Sequence, residues 1–261
     1  MKSLAFVAVL SLPCLAVGSV LVSQQPVSGG GASRSSQLWQ DPSGGGNNLD
    51  GDAVCFEDFV LSTSTAINHI EWWGTGACEL GFRIEFWRQD PNTIAYQPLA
   101  VWYYGWNGPG DPPVSPEPGS IPQTTAFTTS PGPGGLIHYS LDLASPVSLA
   151  ANNSGNPRWF IAIIGLTSQP YATWNWAQNI QGSTHTFQFI RGGSPGGGNL
   201  FWILPEGRAL VLRDARGDLN CDGVVNFDDI NPFVLAFSDP AGYHAAYPNC
   251  NINSADCNQD G

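Results

Sequence analysis

After Lys2 the chain contains no lysine, and its eight arginines stand against 21 carboxylates, a formal net charge of −12 over 261 residues. That balance repels phosphate backbones and anionic lipid, which excludes nucleic acid and membrane surfaces as partners. Three further absences narrow the chemistry. There is no Gly-x-Ser-x-Gly elbow, no His-Glu-x-x-His pair, and no phosphate-cradling loop with a lysine. His69, His138 and His185 are not at metal-ligand spacing. Long apolar runs are lacking too, except at the start. Lys2 followed by Leu4 to Val17, with small residues Ala16 and Gly18, reads as a signal peptide over residues 1–18. A membrane anchor is the other reading, but Ser11, Pro13, Gly18 and Ser19 interrupt the run. The expected location is outside the cell or at its surface, with no membrane contact after cleavage.

Residues 19–36 lack periodicity and read as a linker. From 37 to 215 the pattern changes to short β-like runs between Gly/Pro clusters. Phe82, Ile84 and Phe86 alternate with Arg83, Glu85 and Trp87, and Ile137, Tyr139, Leu141 and Leu143 alternate with polar residues. The runs 159–166, 200–204 and 209–212 are apolar on both faces and suit central strands. The expectation is an antiparallel β-sandwich of jelly-roll or Greek-key type. In an exported chain, Cys55 and Cys78 are the natural disulfide pair of this domain.

The composition shifts again after Arg216, where seven carboxylates follow with no Lys or Arg. Residues 218–229 read DLNCDGVVNFDD. Asp218, Asn220 and Asp222 place side-chain oxygens at loop positions 1, 3 and 5, and Gly223 permits a sharp turn. The Val224 carbonyl, Asn226 and Asp229 follow at 7, 9 and 12. Alternate hard oxygens in one short segment are what Ca²⁺ needs, since it takes six to eight of them. Phe227, Ile230, Phe233 and Val234 then give a helix an apolar face, with Pro232 in its first turn. Asp256, Asn258 and Asp260 repeat positions 1, 3 and 5, and the motif breaks off at Gly261, so the second loop is expected to be truncated.

Residues 217–261, with GDLNCDG followed by NFDDINPFV, resemble a dockerin, the duplicated calcium-loop module of exported proteins, in its planctomycete-type form. The resemblance implies Ca²⁺ as cofactor, the loop residues just named as its ligands, and a cohesin-like protein as partner. The loop departs from the common pattern at positions 10 and 11, where Phe227 and Asp228 replace small hydroxyl residues. Cys250 is expected to pair with Cys221 or Cys257. More loosely, Glu57-Asp58-Phe59, a Trp72-Trp73-Gly74 turn and Trp174-Asn175-Trp176 resemble β-sandwich regions of bacterial exported proteins.

Ten tryptophans and seven tyrosines raise a second possibility for the large domain. Exposed rings in line stack on the apolar faces of sugars. Trp102, Tyr104 and Trp106 share one face by alternation, as do Trp174 and Trp176, while Trp87 lies opposite Phe82, Ile84 and Phe86. Each is read as a platform for polysaccharide or as core packing. Carboxylates such as Glu57, Asp58, Glu71 and Asp142 supply no selected catalytic pair, and Glu85 reads as solvated. The sequence thus points to a secreted, non-catalytic, calcium-binding protein with a carbohydrate- or surface-binding sandwich. A polysaccharide hydrolase carrying the same tail is the alternative.

Overall fold

The computed structural model describes residues 18–40, 52–91, 97–100, 114–152, 157–169, 171–182, 185–190, 200–214, 217–222, 225–248 and 250–255. Among these, the strands are β1 (Val20–Gln24), β2 (Arg34–Ser35), β3 (Gln37–Trp39), β4 (Ala53–Phe59), β5 (Thr65–Gly76), β6 (Phe82–Arg88) and β7 (Ile121–Thr124). They continue with β8 (Thr128–Pro131), β9 (Ile137–Leu149), β10 (Trp159–Thr167), β11 (Trp174–Trp176), β12 (Thr186–Ile190), β13 (Leu200–Leu204) and β14 (Leu210–Asp214).

One sheet runs β1-β14-β5-β11-β2, with β9 paired along β5 and β8 beyond it. The other runs β13-β12-β4-β3-β10-β6-β7. The described ladders are antiparallel except β3 with β10. The expected mainly-β sandwich is therefore the observed class.

Alternation explains the core. Phe82, Ile84 and Phe86 of β6 and Ile161 and Ile163 of β10 meet Ile70, Trp72, Tyr139, Leu210 and Leu212 of the other sheet in one cluster. Each such side chain contributes roughly 1.5–3 kcal/mol by leaving water. Aromatic rings order its centre: Trp72 stacks on Tyr139 at 5.4 Å, and Phe82 meets Trp174 edge-on at 5.0 Å. Trp174 fits only because two glycines make room. A Cβ on Gly74 or Gly165 would lie 2.5 or 2.6 Å from the Trp174 side chain.

The second sheet is apolar on its other face as well. Val54, Phe56, Trp87, Phe160, Ile164, Phe187 and Phe189 form a separate buried cluster there. This corrects two expectations. Trp87 does lie opposite Phe86, but it is buried, not a surface ring. Glu85, read as solvated, is buried and accepts a hydrogen bond from Trp87 Nε1 at 3.0 Å.

Three further corrections concern chain layout. The segment read as a linker holds β1 and β2, which pair with β14 and β11, because Val20, Leu21 and Val22 extend a ladder beside Leu210–Asp214. Trp72-Trp73-Gly74 lies inside β5 and not at a turn. The run Leu200–Leu204, read as central, is an edge strand among the described residues.

The C-terminal segment is helical. A 3-10 turn, Phe227–Asp229, leads into α1 (Ile230–Ser238), and α2 (Pro240–Ala246) follows. Asp239 caps α2, accepting from Gly242 N at 3.0 Å, and Pro240 sits at its first position, where a missing N–H costs nothing. Leu219, Ala236, Tyr243 and Cys250 form a small core. Cys221 bonds to Cys250, with Cα atoms 5.8 Å apart, one of the two pairings left open by the sequence. Asp214, at the end of β14, accepts from Ser19 N at 2.6 Å, Ser254 Oγ at 3.1 Å and Asn251 Nδ2 at 3.3 Å, joining β1 to the chain's last described turn.

Candidate calcium loop and exposed helix

Asp229 organises the loop. Its Oδ1 accepts from Leu219 N at 2.8 Å and Asn220 N at 3.1 Å, and its Oδ2 from Asn226 N at 2.8 Å. Asn226 answers by accepting from Asp228 N at 2.6 Å, completing a capping box that starts the helical turn. One carboxylate therefore ties both ends of the loop together, and it leaves one Oδ2 lone pair available. Asn220 accepts from Asp222 N at 2.9 Å and donates to Asp222 Oδ2 at 2.8 Å.

Asp218 and Asp229 are both buried, in a segment with no lysine or arginine. The loop's donor set, all hard oxygens, suits Ca²⁺. Tyr243 lies beneath the loop and donates to the Leu219 carbonyl at 2.9 Å. Burial, together with the negative charge of Asp218, pushes its phenol up to about 12. Gly223, Val224, Asp256, Asn258 and Asp260 lie outside the described residues. Among the described residues, no group of three or more His, Cys, Asp or Glu side chains is arranged to hold a metal, so any site must draw on Asn and carbonyl oxygens as well.

The helix behind the loop is turned outward. Pro232 and Ala236 are buried, whereas Ile230, Phe233, Val234 and Phe237 recur at spacings of three and four on the exposed side, next to Phe227. Phe233 and Phe237 stack at 6.3 Å, so the stripe is continuous. Sequence periodicity located this face but not its direction.

Sheet register also assembles a polar file on the outer face of β5. Asp142 contacts His69 Nδ1 at 2.6 Å, and His69 Nε2 lies 3.7 Å from Glu71 Oε1. Glu71 Oε2 contacts His138 Nε2 at 3.0 Å, and His138 Nδ1 meets Ser130 Oγ at 3.1 Å. Arg213 Nε donates to Glu71 Oε1 at 2.8 Å. The hydrogen bond with His69 leads in holding the Glu71 carboxyl down to about 2. For His69, burial lowers the pKa, but the bonds to Glu71 and Asp142 outweigh it and leave it above 6.5. Its contribution to stability is complete below pH 6.5 and is lost as pH rises through the folded value. We expect His69→Gln to remove this part of the pH dependence of thermal unfolding, and proton NMR titration of His69 to give a midpoint above that of a free histidine. A midpoint at or below 6.5 would contradict the arrangement.

No family model, curated protein or solved structure matches the chain.

The tryptophan platforms expected from sequence are not formed by the residues described. Trp174 and Trp176 are fully buried in the sandwich core, Trp176 donating to the Ala209 carbonyl at 2.8 Å, and Trp87 is buried under the other face. Trp102, Tyr104 and Trp106 lie outside the described residues. Cys55 and Cys78 are both thiols, not a disulfide. Cys55 points to the Ser35 carbonyl at 3.4 Å and Cys78 to Tyr139 Oη at 3.8 Å, so each is engaged by a different neighbour. Burial pushes the Cys55 thiol up to about 12, which keeps it inert. Asn152, which opens the glycosylation-type triplet Asn152-Asn153-Ser154, is buried, with its amide bonded to Leu61 N, Phe59 O and Pro157 O, a position closed to a glycan.

Sequence reasoning missed the exposed aromatic residues of β13, Phe201 and Trp202, because a run apolar on both faces reads as interior. It also named Glu57 only among many carboxylates. Glu57 is fully buried and accepts from Thr186 Oγ1 at 2.6 Å, Arg208 N at 2.7 Å and Asn179 Nδ2 at 3.4 Å. Burial dominates and pushes its carboxyl up to about 8.

Proposed function

We propose that the chain is an exported protein whose C-terminal segment is a calcium-organised docking module carried by a β-sandwich body. The observation that carries this reading is the outward apolar stripe of α1. A folded nine-residue helix places Ile230, Phe233, Val234 and Phe237 in water, which costs hydrophobic free energy unless a partner covers them. The loop that starts this helix has the oxygen spacing of a calcium site, and the segment resembles a dockerin.

Within the module, Asp229 fixes the loop closure and the helix start together, so loop and docking face are one mechanical unit. A bound Ca²⁺ would add positive charge beside Asp218 and Asp229. Loss of the cation should then loosen the helix that presents the stripe. Exposed Asp228 and Asp239 flank the apolar residues along the chain, so the fitting partner is an apolar groove with basic edges. Non-catalytic binding of polysaccharide by the sandwich would rest on Trp102, Tyr104 and Trp106, since the other proposed rings are interior.

The test is binding of the full chain to a panel of cohesin modules by calorimetry, with calcium and with chelator. We expect calcium-dependent binding to at least one module, and its loss in the double variant Phe233→Glu, Phe237→Glu. Binding that survives both chelation and the double substitution would overturn the reading, as would no binding by any module.

A further inference from the structure

Three parts of the chain meet at one carboxylate. Asp214 ends β14 and is buried, with its two oxygens turned to different neighbours. Its Oδ1 accepts from Ser19 N at 2.6 Å, at the head of β1. Its Oδ2 accepts from Ser254 Oγ at 3.1 Å and Asn251 Nδ2 at 3.3 Å, in the last described turn of the C-terminal segment. Burial raises the Asp214 carboxyl above its ordinary range, and the hydrogen bonds work against that rise. Among the described residues no lysine, arginine or histidine pairs with it. The adjacent Arg213 is committed to Glu71 of β5, its Nε donating to Oε1 at 2.8 Å. A positive charge placed at Asp214 would therefore stabilise its ionised form beyond what the neutral donors achieve.

The sequence supplies such a charge at Ser19. Ala16 and Gly18 stand third and first before the Gly18–Ser19 bond, the small-residue spacing that a signal peptidase reads. Hydrolysis of that bond consumes one water and leaves a carboxylate on Gly18 and an ammonium group on Ser19. A free α-amino group has a pKa of about 7.7–8.0, so it is charged at neutral pH. The position of this nitrogen does not depend on the residues removed. Ser19 O accepts from Asp214 N at 3.2 Å, and the ladder from Val20 to Gln24 along β14 holds the strand in place.

We propose that the mature chain begins at Ser19 and that its α-ammonium group forms a buried ion pair with Asp214, so that processing fastens β1 and the C-terminal segment to the body through one carboxylate. The proposal rests on the export of the chain and adds where the new end goes. Before cleavage Ser19 offers a single neutral N–H, and afterwards it offers a charged donor to the same oxygen. The C-terminal segment is then held more firmly in the exported protein than in its precursor, because Asn251 and Ser254 bond to the carboxylate that the new charge fixes.

The mature chain contains no lysine, so its α-amino group is its single primary amine and amine chemistry reads it alone. The test is N-terminal sequencing of the exported protein, followed by NMR titration of the amine after reductive methylation with labelled formaldehyde. We expect Ser19 as the first residue and a midpoint above the roughly 7.7–8.0 of a free α-amino group, returning to that range in Asp214→Asn. The other charged groups beside this nitrogen, Arg213 and Glu71, pair with each other and are unchanged in the variant. Acetylation of Ser19 gives an independent reading should Asp214→Asn fold poorly. It removes the charge without touching Asp214, and should lower the melting temperature of the wild type at neutral pH while leaving that of Asp214→Asn unaltered. Equal effects of acetylation on the two proteins overturn the proposal. An exported protein with another first residue, or one that starts at Ser19 with an ordinary amine midpoint, overturns the proposal and leaves export standing. A chain found only with Lys2 retained overturns both.

Discussion

Raising the pH from 4.5 toward 8 should progressively destabilise the sandwich, and Glu57→Gln should flatten that dependence. The folded chain holds the Glu57 proton up to about 8 because the carboxyl is fully buried, whereas the unfolded chain releases it near 4.5. The folded state therefore binds more protons throughout this window, and stability falls as pH rises. Full stability is present below 4.5, the loss accumulates on the order of 1 kcal/mol per pH unit, and it levels off above the folded value. Glutamine keeps an acceptor for Thr186 Oγ1 and Arg208 N but has no proton to lose. His69 adds a loss of the same sign at the upper end of the window, so the quantity to measure is the difference between variant and wild-type melting temperatures across pH. Equal slopes for the two proteins would show that Glu57 is ionised in the fold.

The second large effect is expected at Asp229. Its carboxylate accepts three backbone N–H groups and caps the helical turn, so Asp229→Ala leaves donors near Leu219, Asn220 and Asn226 without their acceptor. Loss of a capping side chain alone costs about 0.5–2 kcal/mol. Calcium affinity should fall by at least the roughly 10–100-fold seen when a ligand's supporting partner is removed. The C-terminal core is small, built on Leu219, Ala236, Tyr243 and Cys250. We expect reduced helical dichroism and a separate early unfolding step, with the sandwich transition unchanged. Full helix content and unaltered calcium binding in the variant would show that the loop closes without Asp229.

Much of this architecture was legible from residue order, and its gaps have specific physical causes. Alternation assigned the strands around Phe82 and Tyr139 and put Phe86 and Trp87 on opposite faces, because side-chain direction in a strand is local geometry. Whether a face is covered depends on chain remote in sequence, so the burial of Trp87 and Glu85 was not readable. The Trp174 slot depends on Gly74 and Gly165, 100 and 9 residues away in the chain, and neither glycine advertises that role. The apolar composition of β13 signalled a central strand, while topology placed it at the rim. The oxygen spacing of the candidate calcium loop is legible because it lies in twelve consecutive residues. The file from Asp142 through His69 and Glu71 to His138 was not, since it forms only when β5 and β9 pair in register.

The measurement that bears most directly on the account is a calcium titration of the full chain followed by heat and by helical dichroism. The account expects one saturable event in the micromolar to millimolar range, a rise in helical signal, and loss of both in Asp229→Ala. No saturable heat at millimolar calcium, or identical titrations for wild type and variant, would contradict it.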